Sequence, residues 1–390
     1  ATMTGSEAAA MQARDDVVMV YQDELMQLDT STTPDFLGLT AEGGAWDMGY
    51  VGEDVIIGIV DSGIWPEHPS FSDRTGENPN GKPGKLDYQQ IPGWHGKCVP
   101  GDFFPASDCN QKLIGAQYYG AGWGGEAGTL AAFPYEFWSA RDADGHGTHT
   151  ASTAGGNGGV AADVDGVDFG ETNGMAPRAR IAAYKVCWGI SPEGGCFGSD
   201  SVAAIDQAVA DGVDVINFSI SGTRTNFLDP VEVAFLFAAD AGVFVAASAG
   251  NTPGASTVAH PSPWITTVAA GTHDRFYEGF ADLGDGSTYF GATSNTTGTE
   301  VLDLVYAGDA AADGVATADA ARCFADTLDP GVVTGKMVLC DRGVIARVAK
   351  SAEVARAGGV AMIHANVSPG TINADIHSVP TLHVDHVDGA

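Results

Sequence analysis

The first residues of this sequence that could support catalysis are an aspartate after an apolar run and a histidine in a short glycine-rich motif. The heptapeptide Asp-Gly-His-Gly-Thr-His-Thr occupies positions 144–150, and Asp61 follows an apolar run. A glycine-flanked His146 can present its ring to a cleft as a general base, and the Asp61 carboxylate would fix its tautomer and stabilise the imidazolium. These residues supply an acid and a base for acyl-transfer chemistry, but no serine in a fitting context follows them.

Asp61 has two other interpretations. Apolar residues followed by Asp-Ser-Gly also surround the carboxylates of aspartic proteases, which need two such groups sharing a proton. The sequence has no second Asp-[Ser/Thr]-Gly in an apolar context, and Cys340-Asp341-Arg342 is a poor substitute. The remaining interpretation is an Asp61 that only caps a turn at the end of a strand.

His146 also has an alternative role, in metal binding. It lies three residues before His149, and Asp142 and Asp144 are close in sequence, so a divalent ion could be held there. The pattern lacks the adjacent glutamate of a zinc protease and any obvious third histidine. No metal site is therefore predicted, and His149 is expected to be structural.

The element that positions Asp61 is a predicted strand. Residues 55–60 are continuously apolar and mostly β-branched, which is typical of a strand buried on both faces of a parallel sheet. Asp61 then lies at the carboxyl end of that strand. Ligands of open α/β sheets bind at this edge, so the carboxylate is well placed for function.

Two further helix and strand units follow along the chain. One comprises a helix over 200–210, with Ser199 or Asp200 as its N-cap, and a strand over 213–218. The other begins at Asp229, an N-cap followed by proline, and ends with a strand over 243–247. Repeated helix and strand predict an α/β fold with a doubly wound, mostly parallel sheet.

A second, smaller α/β domain is predicted after a change in composition. Small and polar residues accumulate at 295–298, and beyond them 336–339 reads as a strand, 344–357 as a helix and 360–363 as another strand. We therefore place a domain boundary at 298.

The charge balance excludes one class of function. The chain carries 50 acidic and 18 basic residues, a net charge of −32, whereas nucleic-acid affinity depends on Lys and Arg. No apolar run approaches the roughly 20 residues that span a bilayer. We therefore expect a soluble, self-repelling protein that binds neither nucleic acid nor membrane.

The six cysteines indicate an oxidising environment. They allow 15 pairings, of which sequential pairing is the simplest because spacing is short within each couple and long between couples. Reduced, buried thiols are the alternative. Disulfides would imply an extracytoplasmic location. The predicted couples are Cys98 with Cys109, Cys187 with Cys196, and Cys323 with Cys340.

Three motifs together resemble a known family. Residues 56–64, 144–151 and 246–251 are similar to the three successive signatures of subtilisin-like serine proteases, and they occur in the family's order. The resemblance covers most of the chain. It extends to Gly174-Met-Ala-Pro177, Ala183-Tyr-Lys-Val186, Asp214-Val-Ile-Asn-Phe-Ser219 and Pro263-Trp-Ile-Thr-Thr-Val268.

The resemblance implies a role for each matching residue. Asp61 would orient His146, which would deprotonate a nucleophilic serine and later protonate the leaving amine. Asn251 would donate its side-chain amide to the oxyanion. The segment Ser219-Ile220-Ser221-Gly222 would bind the substrate backbone and line the specificity pocket, although Ile220 and Ser221 depart from the family's usual Leu and Gly.

The resemblance also predicts that the chain is a fragment. Residues 94–115 and the domain from 299 are similar to a subset of the family, abundant in plants, in which an inserted protease-associated domain separates the asparagine region from the serine. The family's serine lies in Gly-Thr-Ser-Met-Ala, a string that is absent here, and the Gly-Thr-His at 271–273 is no substitute. We expect truncation at both ends, with the serine beyond residue 390 and the fragment inactive.

The predicted organisation has three parts. Residues 1–31 resemble the tail of an inhibitory propeptide, with a break and processing junction near Thr32. Residues 32–298 form the front of the catalytic domain, and residues 299–390 form the protease-associated domain. The parent would be a secreted endopeptidase made as a self-processing zymogen.

The predicted partners are protein or peptide substrates and the protein's own propeptide. No cofactor is predicted, and bound calcium is left open. The alternative function is a non-catalytic binding protein that keeps the cleft but has lost the nucleophile.

Overall fold

The computed structural model describes residues 29–74, 86, 88–164, 167–189, 194–252, 256–271, 277–295 and 298–389. The chain divides into two compact units, Ala1–Ala269 and Ala270–Ala390. The predicted propeptide tail lies outside the described residues up to position 28.

The first unit contains the predicted parallel sheet. The strands of this unit among the described residues are β1 (Ile56–Asp61), β2 (Leu113–Tyr118), β3 (Val160–Val164), β4 (Val167–Thr172), β5 (Arg180–Lys185), β6 (Cys187–Trp188), β7 (Gly195–Cys196), β8 (Val215–Phe218), β9 (Phe244–Ser248) and β10 (Thr266–Val268). Six of them pair in parallel in the order β10-β9-β8-β1-β5-β2. The helices are α1 (Asp29–Phe36), α2 (Gly125–Ala132), α3 (His146–Gly155), α4 (Gly198–Asp211) and α5 (Pro230–Asp240).

Strand β1 is buried on both faces, as its apolar run predicts. Ile56 and Val60 pack in one core cluster with residues of α4 and α5. Ile57 and Ile59 pack in a second cluster that includes Ala151 of α3. Helices therefore cover both faces of the sheet, which confirms the doubly wound α/β fold.

Most predicted boundaries are confirmed to within a few residues, but the start of α4 is not capped as expected. Its N-cap is Phe197, which has no capping side chain. The Asp200 carboxylate instead accepts a hydrogen bond from Gly122 N at 3.2 Å, a tertiary contact. The Asp229 prediction is confirmed, since its side chain accepts from Val231 N at 3.0 Å.

The break predicted at residues 32–34 is wrong. Helix α1 runs through it with Pro34 inside. Backbone bonding continues past the proline, because Leu37 N donates to the Thr33 carbonyl at 2.9 Å. The junction predicted near Thr32 therefore lies within a helix.

The second unit is a separate mixed sheet. Its strands are β11 (Glu278–Asp282), β12 (Thr288–Ala292), β13 (Leu304–Tyr306), β14 (Met337–Asp341), β15 (Ala361–Ala365) and β16 (Thr381–Val384), in the order β11-β12-β16-β15-β14-β13. Its helices are α6 (Thr317–Ala321), α7 (Pro330–Val333) and α8 (Arg347–Arg356). Strands β11 and β12 precede the predicted boundary at 298, yet they pair into this sheet through β16.

All six cysteines form disulfides in the sequential pairing that the spacing predicts. The bonds join Cys98 to Cys109, Cys187 to Cys196 and Cys323 to Cys340. No helix among the described residues is long and apolar enough to cross a membrane.

Candidate active site

Asp61 is the last residue of β1 and is only 1% exposed. Its Oδ1 accepts hydrogen bonds from His146 Nδ1 and from Ser62 N, both at 2.7 Å. Thr150 Oγ1 donates to Oδ2 at 3.3 Å. These donors satisfy a buried carboxylate that would otherwise be unfavourable, and they hold it towards the imidazole.

His146 is the first residue of α3, and its side chain is 50% exposed. The hydrogen bond that Nδ1 donates to Asp61 raises the pKa of His146, against the opposing effect of partial burial. With Nδ1 held by the carboxylate, Nε2 is the ring nitrogen left to exchange a proton. The pair has the arrangement of a general base and its orienting acid.

The turn before α3 is organised by Asp142. Its Oδ1 accepts from Ser62 Oγ and Gly145 N, both at 2.9 Å, and its Oδ2 accepts from Thr148 N at 2.9 Å. Burial tends to raise the pKa of Asp142, but hydrogen bonds lower it overall, led by the bond that the Thr148 hydroxyl donates to Oδ2 at 2.6 Å. Asp142 therefore links the loop after β1 to the first turn of α3.

Gly147 allows α3 to approach β1 closely. A Cβ at this position would lie 2.3 Å from the Gly63 carbonyl oxygen, and Gly147 N donates to Ser62 Oγ at 2.8 Å. The sequence alone indicates Asp142 only as a candidate metal ligand and assigns no positioning role to Ser62 or Gly147. The glycines within the motif were the signal that could have indicated this contact.

Asn251 follows β9, with Gly250 in the left-handed region at φ 82°. Its neighbour Thr252 accepts a hydrogen bond from Arg224 Nη2 at 2.8 Å. Strands β9, β8 and β1 are consecutive and parallel in the sheet. Their carboxyl ends therefore present Asn251, Ser219 and Asp61 along the same edge.

The segment 219–222 follows β8 and borders a cavity of about 630 Å³. Ile220, Ser221 and Gly222 line this cavity, together with the buried His260. Ser219 is not among its lining residues, and its hydroxyl accepts from Asn217 Nδ2 at 3.0 Å. The cavity has a mixed lining, with Phe218, Val202 and Val231 beside serine and threonine side chains.

His149 is exposed on α3, and its backbone N donates to the Gly145 carbonyl at 3.0 Å. Within the described ranges, no group of three or more His, Cys, Asp or Glu side chains could hold a metal ion. The chemistry that the described residues support at this site is proton transfer by the His146 ring.

Comparison with known proteins matches both units of the chain to families. The profile of the Subtilase family matches residues 52–337, and that of the PA domain matches residues 300–390. The fold class and the inserted domain expected from the sequence are thereby confirmed.

Curated relatives are similar to this chain along its whole length. It is 42% identical to subtilisin-like protease SBT1.6 of Arabidopsis thaliana, in an alignment covering 100% of this chain and 50% of that protein. It is 41% identical to SBT1.5 of the same plant, in an alignment covering 98% of this chain and 48% of that protein. It is 42% identical to SBT1.4, again over 98% of this chain and 48% of that protein. The chain therefore spans about half the length of the curated relatives it matches.

Proposed function

Because this chain belongs to the subtilase family, we propose that its parent protein is a secreted serine-type endopeptidase that cleaves protein or peptide substrates. The observation that carries the proposal is the 2.7 Å hydrogen bond from His146 Nδ1 to the buried Asp61, with the His146 ring half exposed. Asn251 at the same sheet edge would supply the oxyanion donor.

The proposed reaction needs a serine from outside these residues. The string Gly-Thr-Ser-Met-Ala is absent from the sequence, and the matched relatives are about twice as long. In the parent, His146 Nε2 would take the serine proton as Oγ bonds to the scissile carbonyl carbon, while Asp61 stabilises the imidazolium. The Asn251 amide would donate to the oxyanion.

The same histidine would complete the cycle. The imidazolium would return its proton to the leaving amine as the C–N bond breaks, which leaves an acyl-enzyme. Water, deprotonated by His146, would then attack the ester carbon. As the ester C–O bond breaks, the imidazolium would return that proton to the serine oxygen and the carboxylic acid would leave. Residues 219–222 would hold the substrate backbone beside these groups.

A fluorophosphonate probe tests the proposal directly, because an activated serine oxygen displaces its fluoride. We expect no labelling and no peptide hydrolysis by the 390-residue chain, and both in a longer product of the same gene that contains the serine string. In that longer product, His146→Ala should abolish labelling. Asn251→Ala should keep labelling and lower turnover on the order of 10²–10³-fold.

The outcomes separate this function from a non-catalytic binding protein. A gene whose reading frame continues past residue 390 without Gly-Thr-Ser-Met-Ala would favour the binding protein. A longer product that has the string but neither reacts with the probe nor hydrolyses peptides would overturn the proposal.

We also propose that residues 1–31 are the tail of a propeptide removed by self-cleavage near Thr32. The parent with its serine replaced should then keep this segment. Loss of the segment at the same bond in that variant would show that another protease processes it.

The three disulfides support a secreted location, which fractionation of culture medium against cell lysate would test.

A further inference from the structure

A second carboxylate–imidazole pair lies beneath the segment 219–222, apart from Asp61 and His146. Glu232 of α5 and His260 in the loop before β10 are 0% and 1% exposed. His260 Nδ1 lies 2.6 Å from Glu232 Oε1. His260 lines the cavity but is almost fully buried, whereas the His146 side chain is half exposed.

The geometry fixes where one proton of this pair must be. His260 Nε2 lies 2.9 Å from the Ile220 carbonyl oxygen, and a carbonyl can only accept, so Nε2 carries a hydrogen. The contact with Glu232 holds one more proton between Nδ1 and Oε1, whichever atom carries it. The Ile220 carbonyl is therefore given a donor in either charge state of the pair.

His260 holds the same segment at two other points. Its backbone N donates to the Thr223 carbonyl at 2.9 Å. A Cβ at Gly222 would lie 2.2 Å from the imidazole Cε1, so the ring leaves room only for glycine there. His260 thus contacts Ile220 and Gly222 through its ring and Thr223 through its backbone, and all three residues line the cavity.

Stability alone does not explain this pair. Glu232 Oε2 is buried and has no hydrogen-bond partner among the described residues. A buried ion pair is commonly no more stabilising than apolar side chains of similar size, and an unsatisfied oxygen makes it less so. What the pair supplies and apolar side chains could not is the shorter of the two hydrogen bonds to the Ile220 carbonyl, at 2.9 Å from His260 Nε2 against 3.4 Å from Ser248 Oγ.

We infer that Glu232 and His260 are positioning residues that hold the Ile220 carbonyl and so fix the substrate-binding conformation of residues 219–222. The inference rests on the proposed function. It assigns the pair to peptide binding and not to proton transfer, so in an active parent its loss would raise KM more than it lowers kcat.

The test separates positioning from stability in the 390-residue chain. The variant E232L/H260F replaces the pair by apolar side chains of similar size, so its thermal midpoint should stay close to that of the wild type. Binding of the fluorescein-labelled hexapeptide Phe-Val-Ala-Phe-Ala-Ala, followed by anisotropy, should weaken about tenfold because the Ile220 carbonyl has lost its 2.9 Å hydrogen bond and keeps only the 3.4 Å bond from Ser248 Oγ.

A spectroscopic measurement reports the carbonyl itself. Labelling with ¹³C-carbonyl isoleucine and ¹⁵N serine selects the two Ile-Ser pairs of the sequence, Ile190-Ser191 and Ile220-Ser221. The Ile220 carbonyl resonance should shift in E232L/H260F while the other stays in place. In the variant His260→Gln, the side-chain amide can donate from the position of Nε2. The Ile220 carbonyl resonance should then lie at its wild-type position, and most of the peptide affinity should be kept.

Asp240→Asn is the matched control, since it removes one carboxylate from the exposed end of α5. It should change neither the carbonyl resonance nor the affinity. An unchanged Ile220 resonance in E232L/H260F overturns the inference. A shifted resonance with unchanged affinity for the hexapeptide overturns it too. A wild-type chain that does not bind the hexapeptide contradicts the proposed function instead, and the resonance still decides whether the pair holds the carbonyl.

Discussion

Gly147 and Gly63 approach so closely that a Cβ on Gly147 would lie 2.3 Å from the Gly63 carbonyl oxygen. This contact joins the first turn of α3 to the loop after β1. His146 and Asp61 lie on either side of it, and their 2.7 Å hydrogen bond depends on the same approach.

Gly147→Ala should therefore push α3 away from β1 and weaken the hydrogen bond between His146 and Asp61. We expect a loss of about 1–3 kcal/mol in the free energy of unfolding, as for other overpacked sites, and a fall in the pKa of His146. Denaturant unfolding and an NMR pH titration of the ring measure these effects. Gly93→Ala is the control, because a Cβ at Gly93 meets no atom within 4 Å; equal effects of the two variants would contradict the explanation.

Asp61→Asn should lower the pKa of His146 towards the ordinary value of about 6.5, because the hydrogen bond to Asp61 is the largest cause of its elevation. A raised folded-state pKa means that the pair stabilises the fold fully below pH of about 6.5 and loses this contribution as pH rises through the folded value. The stability difference between wild type and variant should therefore shrink from pH 6 towards alkaline pH.

Asp144→Asn provides the comparison for that experiment. Asp144 also raises the pKa of His146, but only through its charge and less strongly than Asp61 does. Its replacement should lower the pKa less. If the two variants shifted the titration equally, the specific hydrogen bond would not be the main cause.

Lys185→Met should destabilise the first unit by about 3–5 kcal/mol, because it leaves a buried charge without its partner. Lys185 Nζ donates to Glu136 Oε2 and to the Arg141 carbonyl, both at 2.7 Å, and neither charged side chain is more than 2% exposed. The bond to Arg141 also holds the chain just before Asp142. Denaturant unfolding followed by tryptophan fluorescence measures the loss.

The double variant Lys185→Met with Glu136→Leu is its control. Removing both charges should recover a substantial part of the lost stability. A single variant that stays within about 1 kcal/mol of the wild type would mean that the pair behaves like an exposed salt bridge.

Sequence patterns predict those elements whose structure depends on residues close to one another in the chain. The continuous apolar run before Asp61 indicates a strand buried on both faces because no polar residue interrupts it. Asp229 was identifiable as an N-cap because a proline follows it. The sequential disulfides followed from short spacing within each couple.

Contacts between distant residues were not predictable from such patterns. Asp200 was expected to cap α4, but its carboxylate binds Gly122 N, 78 residues away in sequence. His260 and Glu232 are 28 residues apart, and neither lies in a motif that indicates their pairing. Strands β11 and β12 precede the change in composition at 295–298, so the pattern did not assign them to the second sheet.

The second unit should lose stability as pH falls below about 6.5, the ordinary pKa of histidine. His364 and His383 are both 0% exposed, and their rings stack at 4.4 Å. Burial, followed by the electrostatic effects of His383, Lys350, His377 and Arg342, lowers the pKa of His364 to about 2. Burial also lowers that of His383 to about 4.

These lowered pKa values mean that acid favours the unfolded state of the second unit. Both rings are neutral in the folded unit and take up protons on unfolding, so each removes up to about 1.4 kcal/mol per pH unit below 6.5 until its folded pKa is reached. His364→Leu should flatten this dependence.

All seven tryptophans precede residue 270, so their fluorescence reports the first unit alone, while hydrogen exchange of β15 amides reports the second. The variant should make β15 protection less sensitive to acid and leave the tryptophan transition unchanged. An equally steep loss of β15 protection in His364→Leu would show that other groups cause the acid sensitivity.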